Sequence, residues 1–285
     1  MGEDAAAVTR LQGYRFELRV NEEEAHQMLG FAGSCRFVFN RALALQQEIY
    51  DLCGFRPGYA ELCEEMARWK KEPEMSWLKD APSQALQQSL KNLENAWDRH
   101  FKSHQKLKAG KIKPNQLAGP PQFKKKGQRD SFRFPQGFKV DQQSRRVFLP
   151  EPGWIRYRNS REVLGEVSNV RVRQTGGKWF LSIQTEREVK KPVHPSTSVV
   201  GIDVGVVRFA PLSTGTVIEP LNSFKQHEDQ LLKAQQALSR KEKYRRNWKK
   251  AKAKVQRIHA RIANVRRDFL HKTSSVLSLK FLYII

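Results

Sequence analysis

The chain has 285 residues and a formal net charge of +23 at pH 7, room for about two domains at ~100–200 residues each. A hydrophobic share of 39% argues for packed cores and against a disordered chain. No apolar run approaches the ~20 residues of a membrane span, and Met1–Ala7 has no basic segment followed by an apolar one, so no secretory signal is expected. Charge of this size bears on partners, and the usual partner is a polyphosphate chain. Cys35, Cys53 and Cys63 show no Cys-x-x-Cys spacing and read as reduced, buried thiols of a cytoplasmic protein.

In chain order, Tyr14–Val20 alternates apolar and charged residues, the pattern of a half-buried strand. Asn21 with Glu24 three positions on is an N-cap with its capping-box partner. Ala25, Met28, Leu29, Ala32, Phe39, Ala42 and Leu43 then predict one helix to about Leu52, stopped at Gly54. A second helix is expected over Tyr59–Trp69. A third opens at Pro82, which suits a first turn, and places Leu86, Leu90, Leu93, Trp97 and Phe101 on one face as interhelical core.

Composition shifts after Lys106. Residues 108–130 lose periodicity and predict a basic loop that carries Phe123, Lys124, Lys125, Lys126 and Arg129. Short strands follow at Ser131–Phe134, Arg146–Leu149 and Trp154–Arg158. Val170–Arg173 and Lys178–Ile183 flank a Gly-Gly turn as a hairpin. Strands at this spacing predict a small barrel. Arg133, Arg171 and Arg173 fall on its polar face with almost no acids among them, which favours phosphate contact over a merely solvated surface.

Lys190–Pro195 reads as a linker, with His194 a linker residue rather than a ligand. Val199–Ala210 then has the composition of a strand buried on both faces, followed by a turn at Ser213–Thr216 and a strand over Val217–Glu219. A carboxylate inside a buried strand, Asp203, is costly unless it is paired or holds a cation. Two readings stay open for it: the first metal ligand of an RNase H-like site, or a strand-ending Asp bonded to a local N–H. From Gln226 to the low 270s the periodicity predicts an antiparallel helical hairpin, interrupted near 243–247. Between Lys233 and Lys272, 15 Lys or Arg stand against Glu242 and Asp268, a net of +13. Solvated helices ordinarily mix signs, so Arg245, Arg246, Lys249, Lys250, Lys254, Arg257 and Arg261 are candidate contacts to a nucleic-acid backbone.

Five segments occur in one order: Arg36–Leu43, Phe123–Lys126, Ser131–Pro135, Val200–Gly205, and Ala251–Val255 continuing through His259–Thr273. Together they resemble the OrfB/TnpB proteins of insertion sequences, which are related to type V CRISPR effectors. The resemblance implies an α+β architecture: a wedge-like β-barrel from 11–20 plus 131–190, a helical recognition lobe over 21–112 (a helix-turn-helix region), the basic loop 113–130, and the N-terminal portion of a RuvC-like domain over 199–285. It implies an RNA-guided DNA endonuclease with a guide RNA and a double-stranded DNA target as partners. Asp203 would be the first carboxylate of a two-Mg²⁺ site.

The chain departs from that pattern. Residues 269–285 contain no Asp or Glu, and no Cys follows Cys63, so the second and third acids and the zinc ribbon are missing and no zinc site is expected. Glu219, at a strand end, is a poor substitute. The expectation is a C-terminally truncated family member that does not cut, or else a nuclease-dead, repressor-like binding protein. A DDE transposase would need later acids that are equally absent, and has no place for the barrel. On the same reasoning the strand edge at Val199–Val207 is expected to be left partly unpaired, with the apolar tail Leu277–Ile285 able to cover part of it but nothing in its pattern to fix a register. Binding to nucleic acid should be steeply salt-dependent: with ~6–10 phosphate contacts, affinity should fall ~10³–10⁵-fold between 50 and 200 mM salt. A flat response in a filter-binding titration is the contrary result.

Overall fold

The computed structural model describes residues 7–128, 130–190 and 193–285. Strand β1 (Ala7–Arg19) leads into helix α1 (Glu22–Cys53). Asn21 and Glu24 form the capping box at 2.7 and 2.9 Å, and Gly54 closes the helix with φ 69°, its N–H donating to the Tyr50 carbonyl. Helix α2 (Tyr59–Trp69) and helix α3 (Ser83–Lys108) match the expected spans. Met28, Phe31, Cys35, Val38 and Leu43 of α1 share one core with Leu86, Leu90 and Leu93 of α3. Two buried hydrogen bonds zip these helices: Ser89 Oγ donates to the Cys35 carbonyl, and Cys35 Sγ donates to the Ala85 carbonyl.

The strands of the first half are β2 (Ser131–Phe134), β3 (Lys139–Asp141), β4 (Arg146–Leu149), β5 (Gly153–Tyr157), β6 (Glu166–Thr175) and β7 (Lys178–Lys190). With β1 they form one large seven-stranded antiparallel sheet in the order β2-β6-β7-β1-β5-β4-β3. The fold is thus mixed α+β. Strand β3 carried no recognisable sequence signal because it spans only three residues. Gly176 and Gly177, at φ 60° and 80°, make the β6–β7 turn, a backbone that only glycine adopts without steric cost. Along β2, β4, β5 and much of β1, β6 and β7 alternate residues turn inward. Phe16, Leu18, Phe132, Phe134, Leu149, Ile155, Val172 and Leu181 join the helical core, and the arginines are left outside.

The chain divides into two compact units. The first is Thr9–Val189; the second contains Lys190–Ile285 and takes in Ala7 and Val8. In the second, β8 (Val199–Val200) is followed by the hairpin β9 (Ala210–Pro211) and β10 (Val217–Ile218), then helices α4 (Glu228–Ser239) and α5 (Arg246–Lys280) and strand β11 (Tyr283–Ile284). The break between α4 and α5 lies at Arg240–Arg245, where Tyr244 has φ 70°.

Three expectations are corrected here. The strand at Val199 is two residues long, and Val204, Val206 and Val207 are 70%, 96% and 86% exposed. A β-branched run is strand-prone but pairs only where a partner lies: beyond Ile202 the backbone turns instead, with Gly205 N–H donating to the Phe209 carbonyl. Helix α5 continues past the low 270s to Lys280, and the Ser274 and Ser278 hydroxyls within it bond back to carbonyls three residues earlier. And β8 does have a partner. Strand β11 pairs with it in parallel, with Ile285 N–H donating to Val200 and Ile202 N–H to Ile285. The apolar tail thus has a definite register, reached by the helical crossover that parallel pairing requires. His194, read as a linker residue, places its two ring nitrogens 2.9 and 2.6 Å from the Ser196 and Ser278 carbonyls.

No helix among the described residues is long and apolar enough to cross a membrane. Leu90 is fully buried at the α1–α3 contact. Leu90→Ala should therefore cost about 2–5 kcal/mol in denaturant unfolding, against about 1 kcal/mol for Asn21→Ala at the helix cap. Equal losses would contradict this division between core and cap.

Candidate nucleic-acid interface

Within the first unit a groove of ≈ 1350 Å³ opens between α1, α3, the loop after α3 and the outer side of β6 and β7. Lys124, Lys125, Arg133, Arg171 and Arg173, all anticipated from the sequence, line it together. The structure adds Arg36 of α1 and Arg99 of α3. Asp130 is the one acid among these lining residues, and it is already engaged. Arg36 binds it at 3.0 Å, and its other oxygen accepts the Gly127 N–H at 3.0 Å.

The loop is irregular, as expected, but it is pinned. Asn40 accepts the Lys124 N–H at 2.8 Å and donates to the Lys124 carbonyl at 3.0 Å. The Lys124 ammonium lies 3.7 Å from the centroid of the buried Phe39 ring, a cation–π contact. Nearer α3, Ser103 Oγ accepts the Ala118 N–H, and His100 Nδ1 lies 2.7 Å from the Ala118 carbonyl. Arg36, Phe39 and Asn40 thus present one turn of α1 to the loop, while Val38, Ala42 and Leu43 of the same segment face the core.

The electrostatics run against folding alone. Arg133 and Arg171 are directly opposite in the β2–β6 ladder, a like-charge pairing that destabilises a sheet. Burial, then Arg133 and Arg173, push the Arg171 guanidinium below its ordinary value. Arg133 Nε is buried without a hydrogen-bond partner among the described residues, and such a donor calls for an acceptor. Although Lys124 as a residue is exposed, burial of its ammonium against Phe39 and Cys35 pushes its pKa down to about 8, with Arg171 adding to the effect. Burial pushes the Cys35 thiol up to about 12, so near neutrality it offers that ammonium no countercharge. A compact cluster of under-neutralised cations with donors unmet is built to take a polyanion.

Other anticipated residues stand apart from this groove. Lys126 is exposed beside it, and Arg129 lies outside the described residues. In the second unit Arg246, Lys249, Lys250 and Arg257 line a shallow basic depression on α5. Lys254 and Arg261 are exposed on the same helix, and Arg245 is paired with Glu242 at 3.0 Å. Asp203 is exposed on the turn after Ile202, its N–H donating to the Pro211 carbonyl. Among the described residues no group of three or more His, Cys, Asp or Glu side chains could hold a metal ion. One carboxylate does not make a two-ion site, so the residues present do not fit a Mg²⁺ pair and no hydrolytic step is derived through one.

Comparison with known proteins agrees with the motif order. A family model described as "Probable transposase" matches residues 182–280, and one described as "Helix-turn-helix domain" matches residues 10–52. Over these segments the chain resembles the OrfB proteins of insertion sequences. In this chain the residues of the second match form β1 and the continuous helix α1. It is 50% identical over 269 residues to "Putative RNA-guided DNA endonuclease InsQ" of Escherichia coli (strain K12), covering 94% of this chain and 64% of that protein. It is 31% identical to a "Putative RNA-guided DNA endonuclease" of Streptomyces pristinaespiralis, covering 93% and 64%. The chain therefore spans 64% of the length of each of these relatives. A solved Cas12f1–sgRNA–target DNA complex aligns over 95% of the chain at 12% identity with a TM-score of 0.25, too slight a likeness to argue from.

Lys124 carries a pH signature. Its folded value of about 8 lies below the ordinary 10.5, so between the two the unfolded chain holds more protons and this residue's contribution to stability rises with pH. Binding of a polyanion needs the cation and moves the other way. Between pH 7 and 9 affinity should fall by up to roughly tenfold through this residue, and Lys124→Gln should flatten the profile. An unchanged profile in the variant would remove Lys124 from the interface.

Proposed function

We propose that this chain is the nucleic-acid-binding portion of a TnpB-type RNA-guided DNA endonuclease, with guide RNA and double-stranded DNA as its partners. The observation that carries the reading is the groove of the first unit, where cations from two helices, a pinned loop and a sheet converge and the one lining acid is already paired. Phosphate contacts of this kind position a backbone without reading its sequence. In this reading the seven-stranded sheet is the wedge-like barrel (11–20 with 131–190), residues 21–112 are the helical recognition lobe and residues 113–130 the basic loop. Residues 199–285 begin a RuvC-like domain with Asp203 as its first acid. The parallel β8–β11 pair with its helical crossover supports that last assignment, and the basic face of α5 is its own contact to the backbone.

Because Asp203 stands without further ligands among the described residues, binding without cutting is the activity expected of these 285 residues, a repressor-like behaviour. The test pairs two assays on the full chain. In a gel-shift titration with a structured RNA, Lys124→Glu combined with Arg171→Glu should weaken binding at least roughly tenfold across sequences, through lost phosphate contacts. With RNA, matched DNA and Mg²⁺ or Mn²⁺, the DNA should remain intact. An unaffected gel shift would refute the groove assignment. Cleavage abolished by Asp203→Ala would refute the binding-only reading.

A further inference from the structure

The outer face of the same sheet carries a second constellation, at the Arg19 end of β1 and on β5 and β4; the groove takes only Leu11, Gln12 and Gly13 from β1 and nothing from β5 or β4. Arg19 pairs in register with Arg156, and Arg156 with Arg146, so three guanidinium side chains form a row across neighbouring strands spaced ~4.8 Å apart. All three are exposed. Like charges directly opposite one another oppose sheet formation, and two successive pairs of them are not explained by packing. Among the described residues no ion pair engages Arg19, Arg156 or Arg146. Of the nearby acids, Glu17 takes Lys178 at 2.8 Å and Arg158 at 3.8 Å, while Asp141, opposite Arg146, accepts the Ser144 N–H and partly offsets the charge of Arg146 alone.

Beside this row stands an aromatic pair. Trp154 and Phe148 are cross-strand partners with ring centroids 5.6 Å apart, and Trp154 is 46% exposed. Residues two apart on a strand share a face, so Trp154 and Phe148 flank Arg156 and Arg146 on the outward side. Their neighbours Val147, Leu149, Ile155 and Tyr157 fill the core. A half-exposed indole next to a line of exposed guanidinium groups is the combination that single strands require, a base stacking on the ring while its phosphates meet the cations. A duplex hides its base faces and would use only the charges.

We infer that the outward face of β1, β5 and β4 is a binding surface for single-stranded nucleic acid, separate from the groove, with Trp154 as the stacking platform and Arg19, Arg156 and Arg146 as the phosphate row. The inference does not depend on the guide-RNA reading of the groove. Fluorescence anisotropy of the full chain with labelled oligo(U), oligo(dT) and a duplex of equal length tests it. Trp154→Ala should weaken both single strands by about 5–150-fold, the range measured for one stacked base, and leave the duplex nearly unchanged. Trp154→Phe should retain most of the affinity, and circular dichroism of both variants should match the parent. Arg156→Ala should weaken single strands and reduce the salt slope by about one. A preference for oligo(U) would assign the surface to RNA, and equal binding to either strand. Unchanged single-strand affinity in folded Trp154→Ala, or an equal loss on the duplex, overturns the proposal. Lys124→Glu with Arg171→Glu separates the two sites: loss of the groove should leave the effect of Trp154→Ala in place.

Discussion

Asn40 grips the main chain of Lys124 at both its N–H and its carbonyl, and the position of the basic loop around Lys124 depends on that grip. A segment rich in Lys, Gly and Pro has no helical or strand ladder of its own to satisfy its backbone, and repulsion among its charges would spread it. One amide side chain replaces the missing ladder at the residue where the charge is densest. Arg36 performs the matching task at the loop's end by binding Asp130, whose second oxygen closes the turn at Gly127. Because both clamps belong to one face of α1, the geometry of the loop is transmitted from the helical core instead of being set by local turns.

That core explains how the protein tolerates its electrostatics. Arginines facing one another on β2 and β6 oppose folding by a few tenths to about 1 kcal/mol per pair. The inner side of the same sheet buries Phe132, Phe134, Val170, Val172, Leu181 and Ile183 against the helices, and full burial of such side chains contributes about 1.5–3 kcal/mol each. The apolar side can therefore hold the basic side in place. The resulting surface is short of anions, and a polyanionic partner relieves the repulsion when it binds.

The second unit is organised differently. Its small parallel pair is joined through the long excursion of α4 and α5, and Phe209 packs on Phe269 with ring centroids 5.2 Å apart. Few of its described side chains are buried: Leu231, Ala234, Ile262 and Leu277 along the helices, and Val200, Ala210 and Ser223 outside them. Asp203 sits exposed at the surface of this unit instead of in the dry strand interior that its Val-rich neighbourhood suggested.

Local pattern alone determined the helices and most of the first sheet. Apolar spacing, Asn21 with Glu24, and Gly54 delimit α1, and strict alternation marks β4 to β7, because these signals act between residues close in sequence. The cationic character of the interface was legible for the same reason: charge is a property of composition. Tertiary structure decided everything that needs distant residues to meet. No periodicity indicates that Asn40 reaches Lys124, a residue 84 positions away, that Arg36 and Arg99 join the groove, or that Arg19, Arg156 and Arg146 fall in register. It also decided the two strand assignments that failed by pattern. A run of Val and Ile states only a preference for extended backbone, and whether it pairs depends on which segment the rest of the chain brings alongside. For Val199 and Val200 that segment is Tyr283–Ile284, delivered by 35 residues of helix; for Val204 to Val207 there is none among the described residues, and those side chains remain in solvent.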